Sequence, residues 1–163
     1  MKGADGVLCL LTEQMDGDVM DAAGPQLKII SNCAVGYDNI DIIAATDRGI
    51  LVTNTPGILT DTTADLAFAL LLAAARRIVE GSEHVRGGRW KTFDYNLLLG
   101  CDVHKMTLGI IGMGRIGKAL ASRAHGFDMS VLYHDHHGGP EKGLSVGARY
   151  CKHLMNFWKH PIL

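Results

Sequence analysis

Cysteine is scarce and scattered in this chain of 163 residues. Cys9, Cys33, Cys101 and Cys151 stand far apart, with no C-x-x-C pair. The pattern excludes a disulfide scaffold and a cysteine zinc site, and it reads as buried free thiols in a reducing compartment. An excess of either charge is missing too. Lys and Arg number 16, Asp and Glu 17, and the net charge is −1. No basic stripe marks a nucleic-acid binder. Long hydrophobic runs are also absent: the longest, Leu66 to Ala75, is too short for a bilayer and runs into Arg76 and Arg77. The first residues lack the basic start and apolar stretch of a secretory signal. No repeat or low-complexity tract is present. The expectation is a soluble cytoplasmic protein that engages neither nucleic acid nor membrane. Apolar residues, by contrast, make up 47% of the chain, enough for a packed core in one domain or two small pieces.

The most informative stretch is Gly112-Met113-Gly114-Arg115-Ile116-Gly117. The apolar run Leu108 to Ile111 precedes it and a helix-like run, Lys118 to Ala124, follows. A second apolar run, Val131 to His134, then ends on Asp135. Strand, glycine turn, helix, strand and terminal acid are the parts of a dinucleotide-binding βαβ unit. Gly112 turns the chain off the strand, Gly114 lets backbone approach a pyrophosphate, and Gly117 lets helix and strand pack closely. The free N–H groups of the helix start face the phosphates. Asp135, 18 residues past Gly117, is placed to accept from both ribose hydroxyls and to repel a 2′-phosphate. That favours NAD; the adjacent His136 leaves NADP possible.

Elsewhere, apolar runs predict strands at Gly6 to Leu11, Leu27 to Ser31 and Ile50 to Asn54, with helices at Asp16 to Ala23 and Ile40 to Asp47. Strands alternating with helices make this an α/β chain with parallel pairing. A helix is expected from about Thr62 to Glu80, with Thr62 and Asp65 resembling a capping box. It is apolar on nearly every face and so should be buried on every face. Val85 to His104 reads as an irregular excursion. Its Trp90, Phe93, Tyr95 and Leu97 to Leu99 either wrap their own core or clasp a second subunit.

Three blocks, in this order and spacing, resemble the D-isomer-specific 2-hydroxyacid dehydrogenases, most nearly their glyoxylate and hydroxypyruvate reductase branch. They are Asn32 to Asp41 (NCAVGYDNID), Asn54 to Gly57 running into Thr60 to Asp65, and Thr107 to Gly117. The first block argues against another glycine-rich enzyme such as a methyltransferase. The resemblance implies a partial flavodoxin-like substrate domain over residues 1–57. It also implies the first half of a Rossmann-type, parallel-sheet cofactor domain over 58–152. Val35 and Gly36 match the loop whose N–H groups hold the substrate carboxylate, an arrangement suited to an anion. Gly112, Gly114, Arg115, Ile116, Gly117 and Asp135 match the cofactor-binding positions. The family passes a hydride between NAD(P)H and a small 2-oxo or 2-hydroxy acid. A histidine backed by a glutamate moves the proton, and an arginine binds the carboxylate. Its members form homodimers.

None of those three catalytic residues has a counterpart here, so no catalytic residue is assigned. The resemblance starts inside the substrate domain and stops before the second half of the cofactor domain, so the chain reads as truncated at both ends. Residues 153–163 depart from the family. A one-base frame shift would restore a family-like helix there, so a frameshift or misplaced splice junction near Leu154 is the expectation. The chain by itself is then expected to be marginally stable and inactive. A non-catalytic NAD-binding module and a gene fragment without function are the alternatives. His134 to His137 are no metal site, because neighbours on a strand end point to opposite faces. Cys33 is expected to be a buried small residue, and Asp38, Asn39 and Asp41 to be helix-start residues.

Overall fold

A computed structural model of the protein describes residues 2–157, with the side chains of residues 156 and 157 left aside. The chain divides into two compact units, Met1–Leu59 and Thr60–Leu163. No helix among the described residues is long and apolar enough to cross a membrane.

The first unit holds strands β1 (Gly6–Cys9), β2 (Ile29–Asn32) and β3 (Leu51–Thr53). They lie side by side in chain order, all parallel, with Gly6 opposite Ile29 and Ile29 opposite Leu51. Parallel neighbours need a crossover, and two short helices supply it: α1 (Gly17–Ala23) and α2 (Ile42–Asp47). Each begins on an aspartate whose carboxylate accepts a free N–H of the first turn. Asp16 takes that of Val19 and Asp41 that of Ala44, both at 2.9 Å. Cys9, Met20, Ala23, Leu27, Ile30, Ile40, Ala45 and Ile50 close the core between them.

The second unit begins with α3 (Thr60–Ala75) and α4 (Ile78–Arg86). Then come β4 (Thr107–Ile111), α5 (Arg115–Ala124), β5 (Ser130–His134), β6 (Arg149–Tyr150) and the single turn α6 (Leu154–Phe157). The sheet order is β4-β5-β6, all parallel, with Thr107 opposite Ser130 and Ile111 opposite His134. Phe68 of α3 joins Leu108, Ile110, Met113, Ala121, Val131 and Tyr133 in the core. Arg123 of α5 reaches α3, donating to the Asp65 carboxylate at 2.5 Å and to the Asp61 carbonyl at 3.0 Å.

Four expectations change. The long apolar helix is two helices, because Arg77 adopts a left-handed backbone (φ 53°), which ends an α-helix. Its guanidinium then binds both carboxylate oxygens of Glu80 in the next turn. Nor is α3 buried on every face. Ala64 and Phe68 are buried, whereas Leu66 and Leu70 are about 60% exposed. In the segment after α4, Val103 joins the core, but Trp90, Phe93, Tyr95 and Leu99 stand exposed, with Phe93 and Tyr95 stacked edge to face. The thiols are free but not uniformly buried, since Cys9 is buried while Cys33 and Cys101 are exposed. From residue 158 onward, the expected frameshift tail lies outside the described residues.

Candidate functional site

The glycine motif sits where β4 gives way to α5. The N–H of Gly112 donates to the His134 carbonyl at 2.8 Å, extending the β4–β5 ladder by one rung. Gly112 then turns the chain with φ +95°, a conformation that side chains disfavour. Met113 drops its side chain into the core and anchors the turn. Gly114 opens α5 with no side chain capping it, and the Lys118 N–H closes the first helical bond onto the Gly114 carbonyl. The N–H groups of Arg115, Ile116 and Gly117 therefore start the helix without intrahelical acceptors.

The motif's glycines are there for different reasons. Gly112 is required by its backbone angle. Gly117 is required by packing, because a Cβ there would overlap the Gly112 carbonyl oxygen. Gly114 is required by neither. Its φ is −78°, open to any residue, and a Cβ would meet nothing within 4 Å. The space over Gly114 is empty of protein at the positive end of a helix, and it suits an anion that approaches backbone closely. Arg115 and Ile116, the next two positions, are exposed on the same first turn, Ile116 by 40%.

Asp135 follows β5 directly and is brought to this turn. It is only 9% exposed. Its Oδ2 accepts from the Met113 N–H at 2.7 Å, and its Oδ1 from the His137 N–H at 2.9 Å and from Lys142 Nζ at 3.0 Å. The two backbone donors, and then Lys142, hold its pKa down to about 2 against some burial, so it is an anion at any ordinary pH. Its spacing along the chain predicts a carboxylate that accepts from two ribose hydroxyls. Three of its roughly four acceptor positions are instead taken by the chain itself. The cation beside it also differs from the expected one. The His136 ring packs edge to face against His137, with centroids 4.8 Å apart, and Lys142 holds the aspartate. Lys142 lies seven residues on, past Gly138-Gly139-Pro140, where neither strand nor helix periodicity could have pointed to it.

The second candidate locus, in the first unit, is the loop between β2 and α2. Asn32 and Asn39 are buried beneath it. The Asn32 amide donates to the Gly36 carbonyl at 2.8 Å and to Asn39 Oδ1 at 3.1 Å. Asn39 in turn donates to the carbonyls of Leu10 and Glu13. Asn54 donates to the Val35 carbonyl at 2.8 Å, and the Thr55 N–H to that of Ala34 at 2.9 Å. The loop's carbonyls are thus tied down. The N–H groups of Val35 and Gly36 have no acceptor among the described residues. Fixed carbonyls and free amides form an anion nest. Asn39, expected to start a helix, instead knits this loop to the chain after β1, and Asp41 alone caps α2. Cys33, expected to be buried, is exposed beside the loop.

Paired parallel strands, a glycine turn opening a helix and an ionised acid at the next strand end follow the plan of a Rossmann-type fold. The chain belongs to the D-isomer specific 2-hydroxyacid dehydrogenases: the model of that family's catalytic domain matches residues 1–150. A glyoxylate reductase of Korarchaeum cryptofilum is 57% identical over 151 residues, which is 92% of this chain and 45% of that protein. A Thermus thermophilus protein of known crystal structure superposes with a TM-score of 0.89 at 45% identity, over 98% of this chain and 49% of the other. An Aquifex aeolicus D-lactate dehydrogenase, solved with NAD and lactic acid, gives 0.83 at 27% identity, over 98% and 46%. The chain spans about half the length of the relatives it matches.

Proposed function

We propose that this chain is the part of an NAD(P)H-dependent 2-oxo-acid reductase that binds the coenzyme diphosphate and the substrate carboxylate. Glyoxylate or hydroxypyruvate is the substrate class. The single observation that carries this reading is the empty space over Gly114, at a helix start whose N–H groups lack acceptors. The amides of Arg115 and Ile116 hold the diphosphate. Asp135, ionised at ordinary pH, accepts from the adenosine ribose. The amides of Val35 and Gly36 hold the carboxylate of the small acid. The bound coenzyme supplies the hydride. The described residues assign no acid or base to the hydroxyl proton, so the chain by itself binds without turning over. Its free thiols support a cytoplasmic setting. The exposed apolar side chains of Leu66, Leu70, Trp90 and Phe93 support a homodimer.

Calorimetric titration of the purified chain with ADP-ribose tests the reading. Wild type binds with one site per chain. Gly114→Ala folds like wild type, since its one added carbon meets nothing within 4 Å, and loses the binding. Equal binding by the two proteins, or none by wild type, refutes the assignment.

A further inference from the structure

Lys142 reaches Asp135 from a turn that is held rigidly. It lies in the 3₁₀ stretch Pro140–Val146. Tyr133, fully buried in the sheet, pins that stretch on both sides of the lysine: its hydroxyl donates to the Gly139 carbonyl at 2.7 Å and accepts from the Gly143 N–H at 3.0 Å. The lysine stem then crosses bare backbone at Gly138, where a Cβ would overlap its Cδ and Cε. The ammonium ends 3.0 Å from Asp135 Oδ1, on the oxygen opposite the one tied to Met113. The lysine side chain keeps 31% of its surface exposed.

We infer that Lys142 sets coenzyme choice at this site, making it tolerant of a phosphate on the adenosine ribose. This rests on the dinucleotide reading above. A lone aspartate at the end of β5 repels a 2′-phosphate, which carries about −1.5 to −2 charge. Here the aspartate is met by a cation on the oxygen that Met113 does not hold, so the pair is neutral. A ribose hydroxyl shares Oδ1 with the lysine or takes its place. A 2′-phosphate draws the ammonium off Oδ1 and binds it as a charge-assisted partner. Asp135 meanwhile stays anchored by two backbone N–H groups whichever ligand is bound. Neither His136 nor His137 reaches the Asp135 carboxylate with its ring among the described contacts.

Two nicotinamide-free probes, ADP-ribose and 2′-phospho-ADP-ribose, titrated into the full chain, read this directly. Wild type binds both within about tenfold of each other. Lys142→Met weakens the phosphorylated probe about tenfold or more, the worth of one hydrogen bond to a charged group, and leaves ADP-ribose within about twofold. Lys142→Arg keeps the wild-type ratio and guards against a folding artefact. Asp135→Asn moves the ratio the other way. An unchanged ratio in Lys142→Met, or a wild type that binds the phosphorylated probe about 100-fold more weakly than ADP-ribose, overturns the inference. If wild type binds neither probe, the dinucleotide reading itself fails, which is a separate result.

Discussion

Replacing Asp135 with asparagine removes the one carboxylate that ties β5 to the glycine turn. In the wild type its two oxygens accept from Met113 and His137 N–H groups and from Lys142. Those bonds favour the ionised form and carry the pKa from 3.8 to about 2. A shift of that size is worth about 2 kcal/mol of folding stability, at 1.36 kcal/mol per unit. The folded pKa is the lower one. The contribution is therefore complete above the unfolded value near 4 and disappears as pH falls through about 2. Asp135→Asn should cost about 2 kcal/mol at pH 7, where its amide nitrogen must face a donor. The cost should shrink toward nothing near pH 2, where the wild-type carboxylate is itself being protonated. Urea unfolding followed by far-ultraviolet circular dichroism at pH 7 and at pH 2 compares the full cost with the small remainder. A penalty of the same size at both pH values would mean that the ionised carboxylate is not what holds the turn.

Gly117→Ala should destabilise by about 1–3 kcal/mol or more, because the new methyl meets a backbone oxygen that cannot swing away; a thermal melt checks it. Asn39→Ala orphans the Leu10 and Glu13 carbonyls and one Asn32 donor, at about 1–3 kcal/mol for each buried group left unpaired. A lower urea midpoint with unchanged ADP-ribose binding is the expected result, since the defect lies in the other unit. If the exposed face of α3 is a subunit contact, Leu66→Ser with Leu70→Ser shifts the chain from dimer to monomer in sedimentation; a wild type already monomeric refutes that assignment.

The glycine motif was legible because each of its constraints is local. A positive φ, a close helix–strand contact and a helix start are all written in residues 112–117, and the apolar runs on either side fix where they fall. The short helices were legible for the same reason, though only the bonds of Asp16 and Asp41 show which aspartates cap them. The resemblance placed Val35 and Gly36, but not the reason that loop holds its shape. That reason is a pair of buried asparagines: Asn32 holds the loop and Asn39, and Asn39 reaches back 26 and 29 residues to the Glu13 and Leu10 carbonyls. Helix α3 misled because a uniformly apolar sequence carries no directional signal. Nothing in it told the face toward α5 from the face left exposed.

Taken alone, the amino-acid order determined the alternating α/β plan, the phosphate-binding bend and an acid at the end of the following strand. These depend on neighbours a few residues apart and on a repeating apolar pattern. Only the tertiary structure decided what surrounds that acid. Met113, His137 and Lys142 converge on it from the glycine turn, the turn after β5 and a 3₁₀ stretch pinned by Tyr133, and no spacing along the chain encodes a distance through space.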